Sequence, residues 1–479
     1  MKLETKILSE AEQEKVHQVS LRILEEVGIR FYGQKSLPIL SRHGAKVDWE
    51  EKIARIPRQL VKECLELTPK SFVLGARNPE YDFKVPSPES RYCIDGTAAF
   101  AIDFESGKRR YGTKTDIEYA LRVFETLDLG VMAWAPTCAS DVPAPIRPLH
   151  EYFSMARFSS KHGQHEIHNI QQVPYLAEGL ITIMGSEEAF RRKKCFSLIY
   201  CPVAPLSHEG EMLDAYLELG EFGMPVTTMP MPICGTTGPA SLFGNICLAN
   251  AENLSSLVIY QLAHPERPII MGNAVGVVDF MSGAFLGGLP ETGLMGGALT
   301  TMAHYYGLPS CSGGVTTDAK QPGPEAIIDK IMDTIPPVLS KADVIVGYGE
   351  LEGDQLLVLE QLVVDNEIAH HCRRLAQGID TSEGKDLFED ILQVGPGGHF
   401  LKSRNTRSAP RSGEFFISRL IYRSSHESWI QAGMPTIYSK SREKVEEILA
   451  GPVINPLTDD VIDQLEGILR RAELDLTEE

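Results

Sequence analysis

Acidic residues stand almost alone in the middle of this 479-residue chain, and they are the first candidates for chemistry. Asp279, Glu291, Asp318 and Glu350 each lie at or near the end of a short β-rich run. Tyr92, Trp134, Tyr200, Phe285 and Tyr348 fall at comparable places. A carboxylate beside aromatic faces is the combination that receives a quaternary ammonium ion, by charge and by cation–π attraction. The plainer reading is that each acid caps a helix or pairs with a backbone N–H, and that each ring fills the core. His162, His165 and His168 invite a metal reading, yet residues three apart on a strand point to opposite faces and cannot meet at one ion. His370, His371 and Cys372 read as the surface of a charged helix. No HExxH, GxSxG, Walker A or kinase signature is present. The run GPGGHF (395–400) lacks the Lys-Ser/Thr of a phosphate loop. The segment MPMPICGTTGP (229–239) passes Thr236, Thr237 and Gly238 and predicts a helix opening at Pro239, whose free N–H groups could hold a carboxylate.

Such residues need a frame. Strand-like runs recur at 91–96, 129–137, 164–169, 195–203, 225–232, 268–275, 309–315 and 343–350. Helix-like spans lie between them, at 113–125, 174–192, 211–222, 239–263, 289–306 and 324–341. The alternation predicts an α/β fold, a (β/α)8 TIM barrel over 91–350, with its active site at the carboxyl ends of the strands. An open doubly wound sheet is the competitor, without a GxGxxG after a first strand to support it. Residues 1–90 read as an N-terminal helical extension, beginning with a Ser9/Glu12 capping box. Residues 351–479 read as a C-terminal helical region packed on the barrel.

The net charge is -19, from 46 basic and 65 acidic residues. That balance argues against nucleic acid and against an anionic membrane surface. Its distribution says more. From Phe222 to Thr317 only Glu252, Glu266, Arg267, Asp279 and Glu291 are charged, five residues in 96. We attribute this to barrel strands buried on both faces. Within the acidic tail, Lys402, Arg404, Arg407, Arg411, Arg419 and Arg423 form a basic island suited to an anionic ligand or a partner protein. Pro and Gly interrupt the uncharged run too often for a membrane helix, and the first residues carry no apolar signal core. A cytoplasmic protein with reduced cysteines is expected from the nine scattered Cys residues.

The segments PMPICGTTGPASLFGNICLANAENLSSLVIYQLAHPERPIIMGN, DFMSGAFLGGLPETGLM, HYYGLPSCSGGVTTDAK and VGPGGHFL resemble the trimethylamine methyltransferase family, over roughly residues 20 to 475. Members of the family are (β/α)8 barrels that pass a methyl group from a methylamine to the cobalt of a separate corrinoid protein. With only ordinary residues, the chain resembles the non-pyrrolysine branch, whose donors are quaternary amines such as glycine betaine, proline betaine or carnitine. The resemblance implies no permanently bound cofactor, a corrinoid (cobalamin-type) group carried by a cognate partner protein, and a small quaternary-amine substrate. It implies no catalytic side chain either, since cobalt is the nucleophile. For glycine betaine, Tyr92, Trp134, Phe285 and Tyr348 with Asp279 or Glu350 are expected to receive the trimethylammonium. The carboxylate is expected at His399, at a basic residue within 402–411 or at the helix start near Thr236–Gly238, with His168 and Asn273 as walls. Two alternatives stay open, a metal-dependent barrel hydrolase using His162, His165 and His168, and a betaine-binding protein without turnover. Self-association is also open.

Overall fold

In the computed structural model, which describes residues 5–477, eight parallel strands run in chain order around a barrel. They are β1 (Arg91–Ile94), β2 (Gly130–Ala133), β3 (His162–His165), β4 (Phe196–Tyr200), β5 (Val226–Thr228), β6 (Ile269–Met271), β7 (Cys311–Gly313) and β8 (Val344–Tyr348). Each of the eight strand-like runs supplies one. Strand β8 pairs with β1, and a bridge between Met271 and Ser310 joins β6 to β7. Residues 1–4 and 478–479 of the two expected extensions lie outside the described residues.

The covering helices are α1 (Lys114–Glu125), α2 (Arg147–Phe158), α3 (Val173–Met184), α4 (Gly210–Leu219), α5 (Leu242–Ala263), α6 (Pro290–Tyr305), α7 (Pro324–Leu339) and α8 (Leu359–Gln377). Helix α8 completes the ring beyond residue 350, inside the segment expected to follow the barrel. The span 174–192 is broken at Gly185, which takes φ +80° and ends α3 before a short helix, Glu187–Lys193.

The uncharged middle has a second cause besides buried strands. Helix α5 is buried on every side from Asn245 to Gln261, because helices Glu10–Arg22 and Arg58–Leu67 of the N-terminal extension cover the face that a barrel helix usually shows to water. The extension is not purely helical. Strands Ile29–Phe31, Lys46–Asp48 and Ile53–Arg55 form a sheet with Ser207–His208, which belongs to the loop after β4. That pairing anchors the extension to the barrel. At the other end of the chain, helix Ile437–Ala450 packs on α8 and α1, and helix Asp459–Thr477 packs on α3. Between the last turn of α8 and helix Ile437–Ala450 the chain is mostly exposed: from Arg373 to Lys440 no residue is fully buried. No helix of the described residues is long and apolar enough to cross a membrane.

Two small sheets stand over the carboxyl ends of the strands. One joins Ile233–Cys234 after β5 to the hairpin Gly276–Val278/Phe285–Leu286 after β6. The other joins Glu350–Leu351 and Leu356–Leu357 after β8 to Phe100–Ile102 and Arg109–Tyr111 after β1.

Candidate active site

Strand alternation decides which side chains enter the barrel. On β1, Tyr92 and Ile94 point outward, while Cys93 and then Asp95 point inward at the mouth. On β8 the alternation is interrupted. Val346 faces the central cavity, and the register against β1 then slips at Gly347, which adopts φ +142°. A side chain at Gly347 would meet the Gly314 carbonyl at 1.8 Å, so the bulge requires glycine. The slip turns Tyr348 outward, and beyond Gly349 (φ +95°) Glu350 is buried near Asp95 and Asp354. Buried Lys330 of α7 holds the bulge. Its Nζ donates to the carbonyls of Val315 (2.5 Å) and Gly347 (3.2 Å) and pairs with Asp365 (3.0 Å), which also accepts from the Gly349 N–H (2.8 Å).

The result is a cavity of about 530 Å3 at the strand-carboxyl mouth. Its β1 and β8 side carries Asp95, Glu352 and Asp354, and its β5 and β6 side carries Met229, Met231, Ile233, Val275 and Phe285. Trp134 after β2, Glu166 after β3, Asn273 after β6 and Asp333 of α7 complete the walls. Lys320 is the single lysine among these lining groups, facing five carboxyls. Arg109 pairs with Glu352 at 2.9 Å. The others have no arginine or lysine within ion-pairing distance among the described residues.

Burial pushes several of these acids toward neutrality. It raises Asp95, against a hydrogen bond from the Gly96 N–H and one shared with Asp354. It pushes Asp354 well above the usual carboxyl range, with the nearby charge of Asp95 adding to the shift. Glu350 is fully buried and also pushed well up, by burial and by the charges of Asp95 and Asp354. Asp333 is pushed up to about 7 by burial, although Thr292 Oγ1 and the Thr316 N–H donate to it. Glu166 goes the other way: burial would raise it, but the hydrogen bond from His168 and the His168 charge hold it low.

Trp134 is set with care. Its Nε1–H donates to His165 Nδ1 at 3.0 Å, which leaves the His165 Nε2–H for Glu151 Oε2 at 2.9 Å. Gly96 lies against the indole face, where a Cβ would come within 2.0 Å of the ring. The ring orientation is therefore dictated by hydrogen bonds at its edge and by an absent side chain at its face.

Of the residues singled out in the sequence, Trp134, Asn273 and Phe285 line the cavity, and Glu350 is buried beside it, with a carboxyl oxygen within 4.8 Å of oxygens of the lining acids Asp95 and Asp354. Tyr92 and Tyr348 are stacked on each other with ring centroids 5.1 Å apart, between barrel and helices, away from the cavity. Phe124 of α1 packs on Tyr348. Asp279 sits in the exposed hairpin turn, where its carboxylate accepts from the N–H groups of Met281 and Ser282. His168 is at the rim, 3.6 Å from Glu166. His399 and the basic island belong to the exposed segment between Arg373 and Lys440. The expected helix start at Pro239 moves to Leu242, because Ser241 caps it by accepting from the Gly244 N–H. Thr237 instead closes a turn on the Ile233 N–H. His162 is tied to the Gly75 carbonyl and Ser197, and His165 to Trp134 and Glu151, so the three histidines do not converge. Asp95, Glu166, Asp333 and Asp354 were not picked out from the sequence. Asp95 had a visible signal, since it stands two residues beyond Cys93 at a strand end; Asp354 and Asp333 had none.

Comparison with known proteins agrees with this architecture. The barrel aligns with the crystal structure of the Methanosarcina barkeri monomethylamine methyltransferase (MtmB) at a TM-score of 0.51 and 11% identity, covering 95% of this chain and 90% of that one. In sequence, the chain is 28% identical to the trimethylamine methyltransferase MttB of Methanosarcina barkeri (strain Fusaro / DSM 804), over 98% of this chain and 96% of the relative. It is also 28% identical to the glycine betaine methyltransferase of Desulfitobacterium hafniense (strain Y51), over 99% and 98%. The family model for trimethylamine methyltransferase (MTTB) matches residues 2–475. With that match over nearly its whole length, the chain belongs to the trimethylamine methyltransferase family and is a methyltransferase.

Proposed function

We propose that the protein moves a methyl group from a quaternary amine, glycine betaine in the first place, to the cobalt(I) of a corrinoid carried by a separate protein, and releases a tertiary amine such as dimethylglycine. The observation that carries this reading is the composition of the cavity, with carboxyls on one side, thioethers and aromatic rings on the other, and a single lysine. A methylated ammonium presents positive charge through an apolar surface, and the thioethers and aromatic rings suit it, with the Glu166 carboxylate within the same cavity.

The acceptor's cobalt supplies the electron pair for the new bond to carbon. The C–N bond breaks with its pair left on nitrogen, so a quaternary donor departs neutral and needs no proton. What the chain contributes is binding, alignment of the C–N bond and exclusion of water. Trp134 and Phe285 offer ring faces to the cation, Glu166 offers charge, and Lys320 meets the carboxylate of a betaine. Asn273 fills the wall between them. The excess of carboxyls over Lys320 favours a second reading within the same class, a donor without a carboxylate.

The deciding assay supplies the protein with a reduced corrinoid protein and, in turn, glycine betaine, proline betaine, carnitine, choline and trimethylamine. Methyl transfer from the betaines supports the first reading and transfer from choline alone the second. Transfer from trimethylamine alone rejects the quaternary-amine assignment. Donor binding without transfer would point to a binding protein, and stoichiometric zinc in the purified protein to a hydrolase.

A further inference from the structure

Three carboxyl groups meet where β1 and β8 leave the barrel, and their arrangement does not suit a methylated ammonium. Oxygen atoms of Asp95, Glu350 and Asp354 all lie within 4.8 Å of one another. Some point is therefore within about 2.8 Å of all three, close to the roughly 2.3–2.6 Å of calcium–oxygen bonds. A quaternary nitrogen is sheathed in methyl groups, whose carbons stop at about 3.5 Å from other heavy atoms, so it cannot enter that space.

Glu350 supplies the independent sign of a ligand. It is 0% exposed, and among the described residues neither of its carboxyl oxygens has a hydrogen-bond partner; Asp354 Oδ1 has none either. An orphaned buried carboxyl is costly unless a proton or a cation compensates it. The nearest ammonium cannot do so, because the Lys330 protons are directed to Val315, Gly347 and Asp365. Asp95 and Asp354 open on the cavity, which gives an ion its route in.

We propose that Asp95, Glu350 and Asp354 bind a hard divalent cation of the calcium or magnesium class, with its remaining coordination positions facing the cavity. All-oxygen, carboxylate ligation selects such ions over zinc or copper. The proposal does not depend on the methyl-transfer reading, and its test needs neither donor nor corrinoid.

The full-length protein is freed of metal with a chelator and titrated calorimetrically with CaCl2 and MgCl2; MnCl2 binding is followed by electron paramagnetic resonance. One ion per chain is expected, with a rise in Tm at saturation. Glu350→Gln and Asp354→Asn should each weaken binding at least about tenfold and abolish the Tm rise, since each removes one of three charged ligands. Circular dichroism establishes that each variant is folded, and a folded Asp354→Asn decides the matter if Glu350→Gln does not fold. Absence of binding by the wild-type protein up to about 10 mM, above the range of weak calcium modules, would overturn the site. So would unchanged affinity in the folded variants.

Discussion

The two sides of the cavity are built from similar parts and have opposite characters. Each is a pair of neighbouring strands extended into a small sheet, β5 and β6 on one side and β8 and β1 on the other. The first is made of Met229, Met231, Ile233, Val275 and Phe285 and presents no charge. The second gathers Asp95, Glu350 and Asp354 so closely that protons or a cation must offset them. A barrel makes this asymmetry easy, because each strand ends in a loop that can vary without disturbing the others. The contrast teaches that the β8–β1 arc concentrates carboxyl groups at the mouth, while the β5–β6 arc supplies shape and polarisable surface.

The contrast can be broken or sharpened by substitution. The largest effect is expected from an acid that belongs to neither wall. Glu252 of α5 is pushed up to about 7 by burial, against a hydrogen bond from the Leu206 N–H. The folded state therefore keeps this proton between about 4.5 and about 7, and stability falls as pH rises through that window. Glu252→Gln should remove the dependence, leaving the variant about 3 kcal/mol more stable than the parent at pH 8 and similar to it at pH 4. Denaturant melts at the two pH values measure this. Donor KM should not change, which separates a buried structural acid from those in the cavity.

Next comes Gly96→Leu, whose side chain would displace the Trp134 indole that Gly96 now touches. We expect kcat/KM for methyl transfer to fall about 100-fold, the cost of misplacing a positioned group by about an ångström. Near-ultraviolet circular dichroism would report the moved indole. Trp134→Ala should raise donor KM about 30-fold, corresponding to about 2 kcal/mol of a desolvated cation–π contact. An unchanged KM would remove the indole from the donor site. The smallest effect is expected at Tyr92, whose hydroxyl is buried without a hydrogen-bond partner among the described residues. Tyr92→Phe should leave KM unaltered and raise stability by at most about 1 kcal/mol, measured by thermal melting. A KM shift there would mean that the donor reaches behind the acid wall.

Much of the fold was legible in the chain because its signals are local. The runs RYCIDG, CFSLIYCPV and DVIVGYGE announce strands by their β-branched and aromatic content, and the helical periods between them impose the alternation of a barrel. The cavity residues were harder to read. Trp134, Asn273 and Phe285 could be reached because they lie at strand ends. Tyr348 lies at a strand end too, yet the one-residue bulge at Gly347 turns it to the outer face, and Tyr92, near the start of β1, goes there by ordinary alternation. The basic island gave a clear charge signal, but charge along a sequence does not say which surface it will occupy.

By itself, then, the sequence determined the barrel, its membership of the trimethylamine methyltransferase family and the poverty of charge in its middle. Periodicity, composition and motif order are properties of neighbouring residues. Only the tertiary structure decided that Asp95, Glu350 and Asp354 share one space, because they come from opposite ends of the barrel sequence and meet where β8 closes on β1. It also decided that α5 is buried on every side, since that depends on an extension folding back from more than a hundred residues away. Closure of the ring brings first and last strands together, and no local pattern encodes which side chains then face each other.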